Sequence, residues 1–298
     1  MNTDTAPRSI AEYLEQLRAA LAGADPAMIQ DALYDAEEHL RSELGDNPGM
    51  SEEELLAKII NSYGAPEEVA EIYRTQEATV TRALRPPLPP TRSNPVARFF
   101  AVAADPHAYA SMFYLLLSLA TGIFYFTWAV TGIALSMGFA LTLIGIPFLI
   151  LFFGSVRMLS LLEGRIVEGM LGVRMPRRPP YTERDKPLGQ RILAMFTDPR
   201  SWSSLFYMLI MLPLGVIYFV LLIVSTVVPV VLMAAPFAQA FWHLPFAQIG
   251  NIRYSVPPFM WPVEFVVGFF GLFLMLHVAR GIGHMHGAIA KHLLVKIG

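Results

Sequence analysis

Four histidines, His277, His284, His286 and His292, crowd the last stretch of this 298-residue chain, and imidazole is a common ligand for transition metals. Their spacing argues against a metal site. On a helix, residues 284 and 286 point to opposite sides, only His277 and His284 share a face, and no cysteine or carboxylate joins them. Histidines so placed read as the polar rim of a membrane interface. A second group lies in the segment 236–262, where Phe237, Phe241, Trp242, Phe246, Tyr254, Phe259 and Trp261 surround Arg253 and precede Glu264. With Trp128, these rings form an aromatic belt at a membrane boundary, and a loop of this size is also where a stimulus or ligand would be received. Trp242, Arg253, Trp261 and Glu264 are its candidate residues, and Arg253 could pair with Glu264. The chain has no cysteine, which removes thiolate nucleophiles, thiolate zinc sites and disulfides. No acid, base and nucleophile converge anywhere, so the expectation is no enzyme, no catalytic or metal-binding residues and no cofactor.

The elements that position these residues follow from composition. At 54% hydrophobic, 15% charged and a mean hydropathy of +0.47, the chain is too apolar for a soluble globule and needs lipid. Charge is divided unevenly: residues 1–80 hold 17 Asp and Glu against 5 Lys and Arg, and the remainder holds 7 against 17. The basic part is not a nucleic-acid patch, because its arginines flank hydrophobic runs. No apolar segment precedes residue 100, so no cleavable signal peptide is expected and the acidic head should stay in the cytoplasm.

Neither 106–156 nor 201–252 contains Asp, Glu, Lys or Arg. The first run has room for two spans, at about 108–132 and 138–156, with a turn near Ser136 to Gly138. The second carries a span at about 202–232, interrupted by Pro213 and Pro229, and a fourth follows at about 263–279. Basic residues gather at Arg82 to Arg98, Arg157 to Arg200 and Arg280 to Lys296, which places both termini and the central loop on the cytoplasmic side of the bacterial inner membrane. Segments 157–172 and 281–296 are expected to be amphipathic helices along that surface. No charged residue is expected in mid-span, which weighs against an ion path. Small residues at Ala279, Gly283 and Gly287, and at Ser160 and Gly164, permit close helix contacts, either internal or in a homodimer.

An internal repeat is the most specific feature. Asp105-Pro-His-Ala-Tyr-Ala-Ser-Met-Phe-Tyr114 recurs as Asp198-Pro-Arg-Ser-Trp-Ser-Ser-Leu-Phe-Tyr207, an offset of 93 that continues from Gly122 to Phe126 against Gly215 to Phe219. The ends of the two units correspond at an offset of 123, with Gly145, Arg157, Gly164 and Ile166 falling on Gly268, Arg280, Gly287 and Ile289. Two spans per unit give the repeats one shared orientation. The domain reading is therefore a head at 1–80, a proline-rich linker at 81–97, repeat one at 98–190 and repeat two at 191–298. The fold class is all-α: a four-helix bundle ahead of a four-span helical membrane domain.

In the head, Ser9 with Glu12 and Ser51 with Glu54 make capping boxes, Asp25 with Pro26 starts a second helix, and Gly64 with Pro66 separates the third from the fourth. Ile10, Tyr13, Leu14, Leu17 and Leu21 form the inward stripe of helix one, and Val69, Ala70, Ile72 and Tyr73 that of helix four. The run Ser62-Tyr-Gly-Ala-Pro-Glu-Glu-Val-Ala-Glu-Ile-Tyr73, after Tyr13-Leu-Glu-Gln-Leu17 and Glu37-Glu-His-Leu40, resembles the HAAS domain, a helical signalling module. That resemblance implies a cytoplasmic head and, as its partner, a PadR-type transcriptional regulator, docked at Tyr63, Gly64, Pro66, Glu67 and Glu68. A second resemblance, carried by Gly145-Ile-Pro-Phe-Leu, Arg157 to Gly172, the Asp-Pro-x-x-Trp start at Asp198 and Leu232-Met-Ala-Ala-Pro-Phe, is to the "putative sensor" membrane domain. It implies a sensor fused in relatives to histidine kinases, but this chain has no phosphate-cradling loop and no kinase is carried over. The resulting expectation is a membrane sensor that reads envelope state or a lipophilic ligand, contacts lipid and no nucleic acid directly, and relays through its head. The alternative is an accessory subunit of a transport or export system.

Overall fold

The computed structural model describes residues 6–84, 94–139, 142, 144–178 and 196–295. Residues 85–93 of the proline-rich linker, the expected start of the second repeat around Arg191 and the final Lys296 lie outside the described residues; the ends of the expected 81–97 linker belong to helices, 81–84 to the fourth and 95–97 to the fifth.

The head is a bundle of α1 (Ile10–Ala20), α2 (Pro26–Asp46), α3 (Glu52–Tyr63) and α4 (Pro66–Leu84). The first three of these helices start at a side-chain cap. Asp25 accepts from the Ala27 amide, and Ser51 and Glu54 satisfy each other's backbone in a complete capping box. At α1 only half the expected box forms: Ser9 accepts from the Glu12 amide, but the Glu12 carboxylate takes the Arg8 amide at 2.9 Å. Gly64 turns the chain between α3 and α4 at φ 109°, a value that favours glycine, and its carbonyl accepts from the Tyr13 hydroxyl at 2.9 Å. The core joins Ile10, Tyr13, Leu17 and Leu21 to Leu33, Leu40, Leu55, Leu56, Ile59 and Val69. Ile72 departs from the expected stripe, with 51% of its surface exposed. Tyr73, one residue on, takes the inward place, since 100° per residue leaves room for one of them on that edge.

Beyond the short α5 (Pro95–Ala101) come α6 (Pro106–Phe139), α7 (Gly145–Leu171), α8 (Pro199–Trp242) and α9 (Trp261–Leu294). These four helices are long and apolar enough to cross a membrane. They are also longer than expected. The first does not turn at Ser136 to Gly138 but stays helical to Phe139, with the Ser136 hydroxyl bonded back to the Gly132 carbonyl. The chain does not break at 157 or 281: α7 and α9 run straight through, since no proline stands at either place to stop them. Nor do prolines interrupt α8, which is continuous over Pro213, Pro229 and Pro236 for 44 residues. In an apolar setting, neighbouring helices and side chains re-satisfy the groups that prolines free. The fold is not wholly helical either. Strands β1 (Ala247–Ile249) and β2 (Ile252–Tyr254) pair antiparallel across a turn at Gly250, φ 60°, whose Asn and Gly suit a tight hairpin.

Two compact units emerge: residues 1–85, 132–207 and 288–298 in one, and 86–131 and 208–287 in the other. The head thus shares a unit with part of the membrane region. Within the second unit, α6 and α8 cross at two glycines. A Cβ on Gly122 would lie 2.5 Å from the Met211 carbonyl, and one on Gly215 would lie 2.4 Å from that of Ser118, so only glycine permits the approach. The stripe of Ala279, Gly283 and Gly287 is likewise buried inside the chain.

Candidate functional site

The head and the residues that follow α7 meet in one polar cluster. Gly172 ends α7 in the left-handed conformation, φ 69°, and the chain then reads Val-Arg-Met-Pro-Arg-Arg178. Pro176 cannot continue a helix, so the amides of Arg177 and Arg178 are free to bond elsewhere. Both donate to Asp31 Oδ1 on α2, at 2.7 and 2.8 Å. Asp31 Oδ2 accepts from Arg174 Nη2 at 2.9 Å, and the same guanidinium gives Nε to both oxygens of Glu77 on α4, at 3.1 and 3.2 Å. Glu168, on the last turn of α7, accepts from Arg174 at 3.4 Å and from Arg177 at 3.1 Å.

This cluster is largely shielded: the Arg174 side chain is 10% exposed. Burial alone pushes the Arg174 guanidinium down, but Glu77, Asp31 and Glu168 outweigh it and the net shift is upward. For Asp31 burial wins and raises the carboxyl, against the lowering pull of the two backbone amides and Arg174. Further contacts flank it. Arg178 pairs with Asp35 at 2.8 Å beneath the ring of Tyr34, Lys291 reaches Asp25, and Arg200 bonds Gln30. A cavity of about 320 Å³ opens beside these groups, lined by Asp31, Asp35, Tyr73, Glu77, Arg165 and Arg174 among others.

Asp31, Glu77, Glu168, Arg174 and Arg178 were not singled out by sequence reasoning, although the opposite charges of head and remainder signalled that the two attract. The candidate docking residues lie on another part of the head. Tyr63 stacks on His39 at 4.4 Å, Gly64 accepts from Tyr13, and Pro66 is buried, so these three build the corner between α3 and α4. Glu67 and Glu68 are exposed beside Glu71 and Ile72, and Glu68 also accepts the Ala65 amide at 3.1 Å.

Of the candidate loop residues, Trp242 and Arg253 are exposed, and the Trp261 indole donates to the Val256 carbonyl at 3.1 Å. Glu264 does not pair with Arg253, since neither of its carboxylate oxygens has a partner among the described residues. Arg253 lies in β2, which is exposed along its length.

Polar groups also sit on the long helices, with Arg157, Glu163 and His286 in the segments 157–172 and 281–296 expected to lie along the membrane surface. Glu163 on α7 accepts from the Tyr207 hydroxyl at 3.0 Å, and Arg157 pairs with Asp198 at 3.3 Å. In the second unit His286 is fully buried against the Tyr114 hydroxyl at 2.6 Å and that of Tyr218 at 3.3 Å, so it is no polar rim. Arg280 there pairs with Asp105 at 2.8 Å. No group of three metal-ligating side chains occurs among the described residues.

Residues 12–72 match the HAAS family, and residues 114–294 match the family described as "Putative sensor". Both are non-catalytic signalling families. No curated protein and no solved structure matches the chain. A HAAS helical domain is therefore joined to a multi-span apolar domain, the architecture of a membrane sensor, and by a match over more than half its length the chain belongs to the Sensor family.

Proposed function

We propose that this chain is a signalling protein of the inner membrane, with both termini in the cytoplasm, in which the long helices receive a stimulus from the envelope or a lipophilic ligand and the head passes it on. The observation that carries this reading is the grip of Asp31 and Glu77 on Arg174. It ties α2 and α4 of the head to the segment leaving α7, so a shift in that helix biases the head's position. Function is then a population shift between a gripped and a released head, and a stimulus acts by favouring one of them. The surface of Glu67, Glu68, Glu71 and Ile72 is acidic with an apolar centre and lies apart from the grip; it suits a basic partner surface, the place for a PadR-type regulator.

The membrane region is read as a duplicated two-span unit. Its support is that equivalent residues make equivalent contacts, exchanged between repeats: Asp105 with Arg280 as Asp198 with Arg157, Tyr114 with His286 as Tyr207 with Glu163, and Gly122 on Met211 as Gly215 on Ser118. Each pair obeys the offsets of 93 and 123.

Crosslinking in cells from residues 67–75 tests the function. Recovery of a winged-helix DNA-binding protein is the expected result, and recovery of an ATPase or permease overturns it. A reporter fused at the C-terminus tests the topology, which a periplasmic signal refutes.

A further inference from the structure

Glu264 is the only carboxylate between Asp198 and the C-terminus, and it is buried, with 9% of its surface exposed and neither oxygen bonded. The protein itself encloses it. With Gly268 and Gly271 it forms one stripe on α9, at positions i, i+4 and i+7. The glycines press this stripe onto α8: a Cβ on Gly268 would lie 2.6 Å from the Pro229 carbonyl and 2.9 Å from the Met233 amide, and one on Gly271 would lie 2.8 Å from the Pro229 ring. Contacts that run backward on one helix as they run forward on the other make the pair antiparallel. Glu264, one turn before Gly268, therefore stands level with the turn of α8 from Met233 to Phe237.

That turn contains Pro236, which has no amide, so the carbonyl of Leu232 lacks its helical donor. Leu232 and Pro236 share the stripe of α8 that carries Pro229, three and seven residues on. One turn farther along both helices, Val256 clips the loop in place: its amide donates to Gln239 at 2.9 Å and its carbonyl accepts from Trp261 at 3.1 Å. The rings of Phe237 and Phe265 meet edge to face at 6.0 Å beside it.

The Glu264 carboxylate has both oxygens open and stands level with a carbonyl that Pro236 leaves without its helical donor, with the Phe237 and Phe265 pair on the same two helices, so acceptors gather here. Their complement is a positive charge, since half-helix carbonyls coordinate cations within membranes and ring faces attract them. We propose that Glu264 binds a monovalent cationic group between α8 and α9, beneath the Val256 clip. The group comes either from an inorganic cation or from the ammonium head of an amphiphile in the adjoining leaflet. This rests on the sensor reading above and names the class of ligand for it.

The test uses the full chain in nanodiscs of neutral lipid, with sodium chloride, potassium chloride and dodecyltrimethylammonium chloride as probes and dodecyl maltoside as an uncharged control. The readouts are the thermal unfolding midpoint and tryptophan emission. A cationic probe is expected to shift both saturably, and E264Q to raise its half-saturating concentration at least tenfold while E264D raises it less. A response to either salt identifies an inorganic cation, and a response to the alkylammonium salt alone identifies the amphiphile. The inference is overturned if no cation gives a saturable shift, if E264Q responds as the native chain does, or if dodecyl maltoside acts equally well. Binding that leaves the head unmoved counts against the proposed signalling and not against the site.

Discussion

Replacing Arg174 by methionine keeps the apolar stem of the side chain and removes the charge that three carboxylates share. The side chains of Asp31, Glu77 and Glu168 are 9%, 14% and 8% exposed, so they cannot turn to water without the head moving. Breaking a buried ion pair from one side costs about 3–5 kcal/mol. Asp31 keeps its two backbone amides and Glu168 keeps Arg177, which puts the loss near the lower end. At ~3 kcal/mol the ratio of gripped to released heads falls about a hundredfold. The chain's lack of cysteine makes the assay direct. Spin labels go on Glu38, exposed on α2, and on Gly169 of α7, where an added side chain meets open space. The native chain should give one narrow distance distribution, and R174M a broad, longer one. Adding D31N, E77Q and E168Q to R174M removes the stranded charges and should restore most of the narrow component, because replacing a whole buried ionic set is often close to neutral. An R174M chain with the native distribution would refute the idea that this arginine holds the head.

Three other outcomes follow from the geometry. G122A and G215A each drive a Cβ into a backbone carbonyl and should cost about 1–3 kcal/mol or more in detergent unfolding, whereas G138A, with nothing near it, should not; equal effects would contradict the close crossing. Y207F removes one hydrogen bond from the buried Glu163 and should cost about 1 kcal/mol, seen as faster hydrogen exchange on α7 than in the native chain. The Ser51 amide and hydroxyl hold the Glu54 carboxyl below its ordinary value, so the cap of α3 is at full strength above that value and is lost as pH falls through the lowered one. Hydrogen exchange at α3 in the full chain should show this acid step, and E54Q should lack it.

Local chemistry made the head legible in the sequence: Asp25, Ser51, Gly64 and Pro66 mark its boundaries because caps and turns act over three or four residues. Apolar runs made the spans legible for the same reason. What escaped depends on distant partners. Asp31 and Arg174 are 143 residues apart, and nothing near either names the other. Helix ends were misplaced where soluble rules were carried into lipid, as at Pro213, Pro229 and Pro236, which do not end α8. His286 was judged by its place just past the fourth span, whereas its burial is decided by Tyr114 and Tyr218 on other helices.

If the membrane region is a duplicated two-span unit, as proposed, its exchanged contacts carry a consequence for ancestry. If the duplicated unit once paired with its own copy, one substitution changed both sides of the pair at once, and no asymmetry could arise. Fusion into a single chain would lift that restriction, and the paired contacts differ selectively. The glycines at the crossing remain identical, while one tyrosine now faces a carboxylate in the unit that contains the head and the other faces an imidazole in the unit that contains the hairpin. A symmetric ancestor would have had two like pairings; this chain has two unlike ones.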